Sequence, residues 1–127
     1  MERLSTIIGT LCRRPGIYIG RADMRHVRAF LNGYLLALEE MGELKNHPLN
    51  GFVHWLELRH DIQGAAWGWD RILVHAAGSH AEAIRTLPAV FSLYRSEVAS
   101  GVFDPEALHS RNGREPEQTC TDGYSDQ

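Results

Sequence analysis

Five arginines crowd the sixteen residues from 13 to 28: Arg13, Arg14, Arg21, Arg25 and Arg28, with His26 among them. A guanidinium is planar, permanently charged and forked, so such a cluster suits the oxygens of carboxylates and phosphates. Two arrangements within it suggest different uses. In Arg13-Arg14-Pro15-Gly16-Ile17-Tyr18-Ile19-Gly20, glycines that tolerate unusual backbone angles sit beside two arginines and just ahead of a helix start. Arg13, Arg14, Gly16 and Gly20 are therefore a candidate anion site. The same string also reads as a structural clasp, with Ile17 and Ile19 inserted into the core and Tyr18 at its rim. The clasp is the favoured reading, because two glycines four apart are a weak phosphate signal. Arg21, Arg25 and Arg28 are spaced to share one polar flank of the next helix. That flank is a docking patch for an acidic partner or a phosphate backbone, or else an ordinary solvated face balanced by nearby acids.

Trp55, Trp67 and Trp69 place three large rings within fifteen residues. Tryptophan and arginine together are the residue types that dominate binding hot spots. Trp55 is expected in the core, whereas Trp67 and Trp69 join Arg21, Arg25 and Arg28 as candidate partner contacts. The seven histidines include no pair at the four-residue spacing of a helical zinc site and no His-Glu-x-x-His string. No metal or cofactor is therefore expected. His60-Asp61 could orient a base, with Ser79 or Ser92 as nucleophile, but nothing in the spacing brings them together and no nucleophile elbow is present. Catalytic residues are accordingly not assigned, and the chain is read as a non-enzyme. Cys12 and Cys120 are too few for a disulfide framework, and Cys12 is expected to pack quietly on its helix.

The elements that must position these groups are mostly helical. Leu4, Ile7, Ile8 and Leu11 make a short stripe that stops before Pro15. Met24, Val27, Phe30, Leu31, Tyr34, Leu35, Leu38 and Met41 recur at steps of three and four. This predicts a central core helix over 23–41, capped by Asp23 and closed by Gly42. A third helix spans 49–60, with Phe52, Val53 and Leu56 inward, Trp55 beside them and Asn46-His47-Pro48 as its lead-in turn. Arg71–His75 reads as a buried strand or as part of a short helix; the run is too short for periodicity to decide. Ser79 and Glu82 match a capping box, and Ile84, Leu87, Phe91, Tyr94 and Val98 continue a helical stripe interrupted by Pro88, which should kink or split it. The fold class is mainly α: a compact bundle of four to six helices, with room for one short strand or strand pair at 71–75.

Two resemblances follow from these strings. RPGIYIG resembles the RPGMYIG motif near the start of the ATPase domain of type II topoisomerase B subunits, a likeness confined to Arg14–Gly20. That family places a Glu and an Asn on the helix that follows. Here the helix carries Asn32, but its glutamates, Glu39 and Glu40, come only near its end, so no ATPase residue carries over. Taken together, RPGIYIG, FLNGYLLAL, GFVHWLELRH and WGWDRILVHAAGSHAEA are similar to a group of small bacterial proteins, some of which look like immunity proteins encoded beside secreted toxins. This likeness runs from about Arg14 to Tyr94 and lies mostly on fold-determining residues, so it implies a shared fold more than a shared activity. It implies as partner a cognate protein toxin, neutralised by direct binding.

Charge and composition bound these readings. Thirteen basic residues against sixteen acidic ones give −3, without the basic excess of a general nucleic-acid binder. Twelve of the thirteen basic residues are Arg, a bias that genome composition alone can produce. From Phe103 onward two arginines face six acidic residues, a balance of −4, while residues 1–102 hold eleven basic and ten acidic groups, +1. The first stretch is expected to be one helical domain and 103–127 an acidic flexible tail, too poor in apolar groups to offset its ordering entropy. No apolar run reaches bilayer length and no signal-like core opens the chain, so a cytoplasmic protein without a membrane partner is expected. The main expectation is a binding module of the immunity type; the alternative is a nucleotide- or phosphate-binding regulator using the Arg14–Gly20 loop.

Overall fold

The computed structural model describes residues 2–44, 48–62 and 66–105, and among these it holds six helices and no strand. They are α1 (Glu2–Arg13), α2 (Pro15–Tyr18), α3 (Met24–Glu40), α4 (Pro48–Arg59), α5 (Trp69–Ala77) and α6 (His80–Ser100). The ambiguous run at 71–75 is helix, bounded by Gly68 at its N-cap and by Gly78 at φ +95°. Ile72 and Leu73 are buried within it, so packing on neighbouring helices decides what the short run could not.

The helix ends follow local chemistry. Asp23 Oδ1 accepts the Arg25 N–H at 2.9 Å and caps α3. At the other end Gly42, at φ +76°, donates to Glu39 O while Glu43 N–H reaches back to Leu38 O. This paired closure satisfies carbonyls that the helix end leaves open. Ser79 Oγ accepts the Glu82 N–H at 3.1 Å, but the Glu82 carboxylate turns to Arg85, so only half of the expected capping box forms. Pro88 neither ends nor splits α6, which runs unbroken for 21 residues. Leu87 and Phe91, both buried, hold the helix to the core on either side of the missing N–H.

α6 is the hub, packing against α1, α3, α4 and α5, whereas α3 packs against α5 and α6. At about 32 Å, α6 is long enough to touch every long neighbour. α3 is a core helix, as its stripe requires, yet not the central one. Five of its expected core residues are buried, Phe30 and Tyr34 lie half-buried, and Met41 faces out past the last turn. The densest packing is aromatic: Phe52 lies 6.0 Å from Trp55 and from Trp69, 5.2 Å from Phe91 and 5.4 Å from Tyr94. Gly51 makes this approach feasible, since a Cβ there would overlap Tyr94 Oη.

The clasp expected around Ile17 is only half formed. Pro15 opens α2 and Ile19 packs on the core, but Ile17 is 66% exposed and Tyr18 leans edge-on to Phe30. One turn of helix rotates Ile17 away from the side that receives Ile19. The folded chain also continues past position 102: Phe103 donates its N–H to Glu97 O and sets its ring 6.0 Å from Tyr94. The lead-in turn at 46–47 and the tail from 106 onward lie outside the described residues. Among the described residues, no helix is long and apolar enough to cross a membrane.

Candidate functional site

An open cleft of about 720 Å³ is formed where the first two turns of α3 face α5 across the 66–68 segment. Its size falls within the ~300–1,000 Å³ typical of binding clefts. Arg25 and Arg28 come from α3, Trp67 and Gly68 from the connecting segment, Asp70, Arg71 and His75 from α5, and His80 from the start of α6.

The floor is an ion pair. Asp70 is the one charged residue buried among those described, at 4% exposure, and its Oδ1 accepts from Arg28 Nη1 at 3.2 Å. A buried carboxylate is costly unless paired, so this contact ties α3 to α5. Gly68 roofs the pair closely: a Cβ on it would lie 2.6 Å from Arg28 Nη1 and 2.8 Å from Asp70 Oδ1. Only glycine lets the backbone pass at that height.

One wall is aromatic. Trp67 is half-buried, with the Arg71 guanidinium carbon 4.5 Å from its ring centroid and the His75 ring edge-on at 5.3 Å. A cation seated over an indole face gains from the ring quadrupole while its N–H groups stay available to other acceptors. Among the described residues, the Arg71 guanidinium makes no ion pair and no hydrogen bond.

The opposite wall is a small relay. Arg25 Nη2 meets Asp23 Oδ2 at 2.9 Å and its Nε reaches Oδ1 at 3.2 Å. The Arg25 hydrogen bond holds the Asp23 carboxyl well below the usual carboxylate range, against a smaller opposing effect of burial. His80 Nδ1 accepts the Met24 N–H at 2.9 Å and lies 3.6 Å from Asp23 Oδ1. An amide N–H can only donate, so Nδ1 is the bare nitrogen and Nε2 carries the ring proton. Outside the lining, burial first, and then the charges of Arg59 and His75, lower the pKa of His60.

The sequence-derived candidates divide sharply on this frame. Arg25, Arg28 and Trp67 meet in the cleft. Arg21 does not: it lies exposed in the turn before α3, which starts at Met24, so it shares no helical flank with Arg25 and Arg28. Trp69 is a core residue, 4% exposed and packed on Phe52, because it opens α5 on the inward side; it offers no surface to a partner. Arg13, Arg14, Gly16 and Gly20 are exposed around α2 and line no part of the cleft. Gly20 serves the chain turn there, at φ +82°. Ser79 is occupied as a helix cap, and Ser92 lies exposed on α6.

Asp70, Arg71, His75 and His80 were missing from the sequence-derived set. Two of them, Arg71 and His75, had a readable signal: with Trp67 they stand at successive four-residue steps, the spacing of neighbours on one helical face. His80 enters only through the tertiary contact with α3. The chain matches no family model, no curated protein and no solved structure.

Proposed function

We propose that this chain is a non-enzymatic protein-binding module, a cytoplasmic bacterial immunity protein that neutralises a cognate toxin by direct binding. The observation that carries the reading is the meeting of Trp67, Arg25, Arg28 and Arg71 around one cleft. These are the residue types that anchor protein interfaces, and they stand on a floor fixed by a buried ion pair, so little order must be gained on binding. The groups facing the cleft bind and orient. The similarity of the strings between Arg14 and Tyr94 to small immunity-like proteins supports the same reading. The phosphate-regulator alternative has less support, since Arg13, Arg14, Gly16 and Gly20 line no part of this cleft.

The test is neutralisation. A toxin encoded beside this chain is expressed in a bacterial host with and without it. The expected result is restored growth and a complex that co-elutes in size-exclusion chromatography, both lost in a Trp67→Ala/Arg25→Glu variant that still folds. Failure of the wild-type chain to protect, despite soluble expression, overturns the reading.

A further inference from the structure

Two tryptophan–arginine stacks with the same spacing stand among the described residues, and within these only one of them is complete. On α4, Arg59 follows Trp55 by four residues and its guanidinium carbon lies 5.0 Å from the Trp55 ring centroid. The stack is finished by a carboxylate from α6: Glu97 Oε1 accepts from Trp55 Nε1 at 2.9 Å, and its Oε2 lies 3.7 Å from Arg59 Nη1. Arg71 follows Trp67 by the same four residues and sits 4.5 Å from that ring, yet among the described residues no carboxylate meets it. The stack in the cleft is the Trp55–Arg59–Glu97 arrangement without its acid.

We infer that the cleft is a receptor for a carboxylate-bearing segment of the partner, one Asp or Glu side chain completing the Trp67–Arg71 stack as Glu97 completes Trp55–Arg59. The inference rests on the protein-binding reading above and names the chemistry of the partner. Three features of the lining select that chemistry.

The first is polarity. The only acceptor charge in the lining, Asp70, is buried and held by Arg28. The charged and strongly polar side chains that remain facing the opening are mainly donors: the Arg71 guanidinium, the free N–H groups of Arg25, and Nε2–H of His80, with the His75 ring beside them. A lining rich in donors fits a ligand that only accepts. The second is charge. Arg25 is matched by Asp23 and Arg28 by Asp70, which leaves Arg71 as the cation of the lining with no counter-ion among the described residues. One unmatched unit charge suits a carboxylate better than a phosphate monoester, which carries about −1.5 to −2 near neutral pH. The third is the ring. Arg71 and His75 already engage a face and an edge of Trp67, so the indole serves to seat the arginine and is not a free platform for a nucleobase.

The experiment follows the tryptophan indole N–H signals of the full chain by nitrogen–proton correlation NMR. Three probes are titrated: a capped glutamate-rich peptide, its glutamine counterpart and inorganic phosphate. The glutamate peptide is expected to shift the Trp67 signal and leave those of Trp55 and Trp69 in place, with an affinity that falls as salt is added. Arg71→Gln, an exposed change that leaves the core intact, is expected to weaken binding by about tenfold or more, and Arg71→Lys to recover part of it as a point charge without the fork. Equal binding of the glutamine peptide, tighter binding of phosphate, or indifference to Arg71→Gln overturns the inference. The outcomes separate it from its parent reading. A chain that neutralises its toxin but ignores the acidic peptide loses the carboxylate receptor and keeps the binding function. A chain that takes the peptide at Trp67 but protects against no toxin loses the neutralisation reading.

Discussion

Breaking the Arg28–Asp70 pair from its two sides should have unequal consequences, and the inequality follows from burial. The Asp70 side chain is 6% exposed and that of Arg28 17%, with 3.2 Å between Nη1 and Oδ1. Unit charges about 4 Å apart attract by about 4 kcal/mol at an effective dielectric constant of ~20, and lost hydration of both ions offsets much of that. Removing one partner exposes the penalty without the attraction. In Arg28→Met the Asp70 carboxylate stays largely buried under Gly68 with its cation gone, and the expected loss is about 3–5 kcal/mol. In Asp70→Asn the amide keeps the shape and still accepts a hydrogen bond, while the arginine stem can turn its head outward into the cleft. The expected loss there is about 1–2 kcal/mol.

The assay is a double-mutant cycle in urea followed by tryptophan fluorescence, with a thermal melt as second readout. For a domain of this size 1 kcal/mol moves the midpoint by roughly 4–8 °C, so the two single variants should be well separated. The double variant should cost less than the sum of the singles, with a coupling of about 2 kcal/mol. Equal losses in the two singles, together with a coupling below about 0.5 kcal/mol, would refute the reasoning. The pair would then behave as a solvent-screened surface contact and could not be what joins α3 to α5.

Three further outcomes are expected. Gly68→Ala should destabilise by about 1–3 kcal/mol, because its Cβ pushes on Arg28 and Asp70 and alanine is a poor N-cap; an unchanged urea midpoint would contradict the close roof. Burial pushes the Cys12 thiol up from 9.0 to about 11. Its thiolate is thereby rarer by about a hundredfold, so in a Cys120→Ser variant a disulfide reagent should react slowly until the chain unfolds, and fast reaction in the native state would contradict its packing. Asp23, whose carboxyl is held low by the Arg25 hydrogen bond, contributes stability that is present above the ordinary carboxylate pKa of about 4. That contribution is lost as pH falls through the lower folded value. Asp23→Ala should therefore cost about 1 kcal/mol at neutral pH and progressively less in strong acid, measured as the gap between urea midpoints.

The parts of the fold that were legible in the sequence are those where local and tertiary preferences agree. α3 shows this: its stripe, the Asp23 cap and the Gly42 closure all mark the same boundaries, and the packed helix obeys them. α5 was illegible because five residues are fewer than two helical turns, so both periodicities fit them. Only the burial of Ile72 and Leu73 against neighbouring helices resolves the run. Pro88 misled for the opposite reason. Its local cost argued for a break, but that cost, about 3 kcal/mol, is smaller than the burial of Leu87, Phe91 and Tyr94 that a continuous α6 secures. Ile17 was misassigned because the single turn of α2 changes which way successive side chains face, a rotation that Pro15 at its first position permits without announcing.

For the cleft, residue type was readable while residue company was not. Arg25, Arg28 and Trp67 were singled out for what arginine and tryptophan do, and Trp69 was singled out on the same ground, yet it points into the core. Composition cannot separate Trp67 from Trp69; the start of α5 does, because it turns one ring onto Phe52 and leaves the other beside Arg71. Nor does a list of arginines tell which are already matched. Asp23 lies beside Arg25 in sequence and was legible as a cap, whereas Asp70 reaches Arg28 across 42 positions. What distinguishes Arg71 is therefore a property of the fold: its neighbours' charges are matched by contacts made in folding, and among the described residues its own is not. The repetition of the Trp55–Arg59 stack turns that difference into a statement about a partner. The same four-residue spacing and arginine-over-indole contact is closed by Glu97 in one place and, among the described residues, stands open in the other, so the group that fits the open copy is the group that the closed copy already holds.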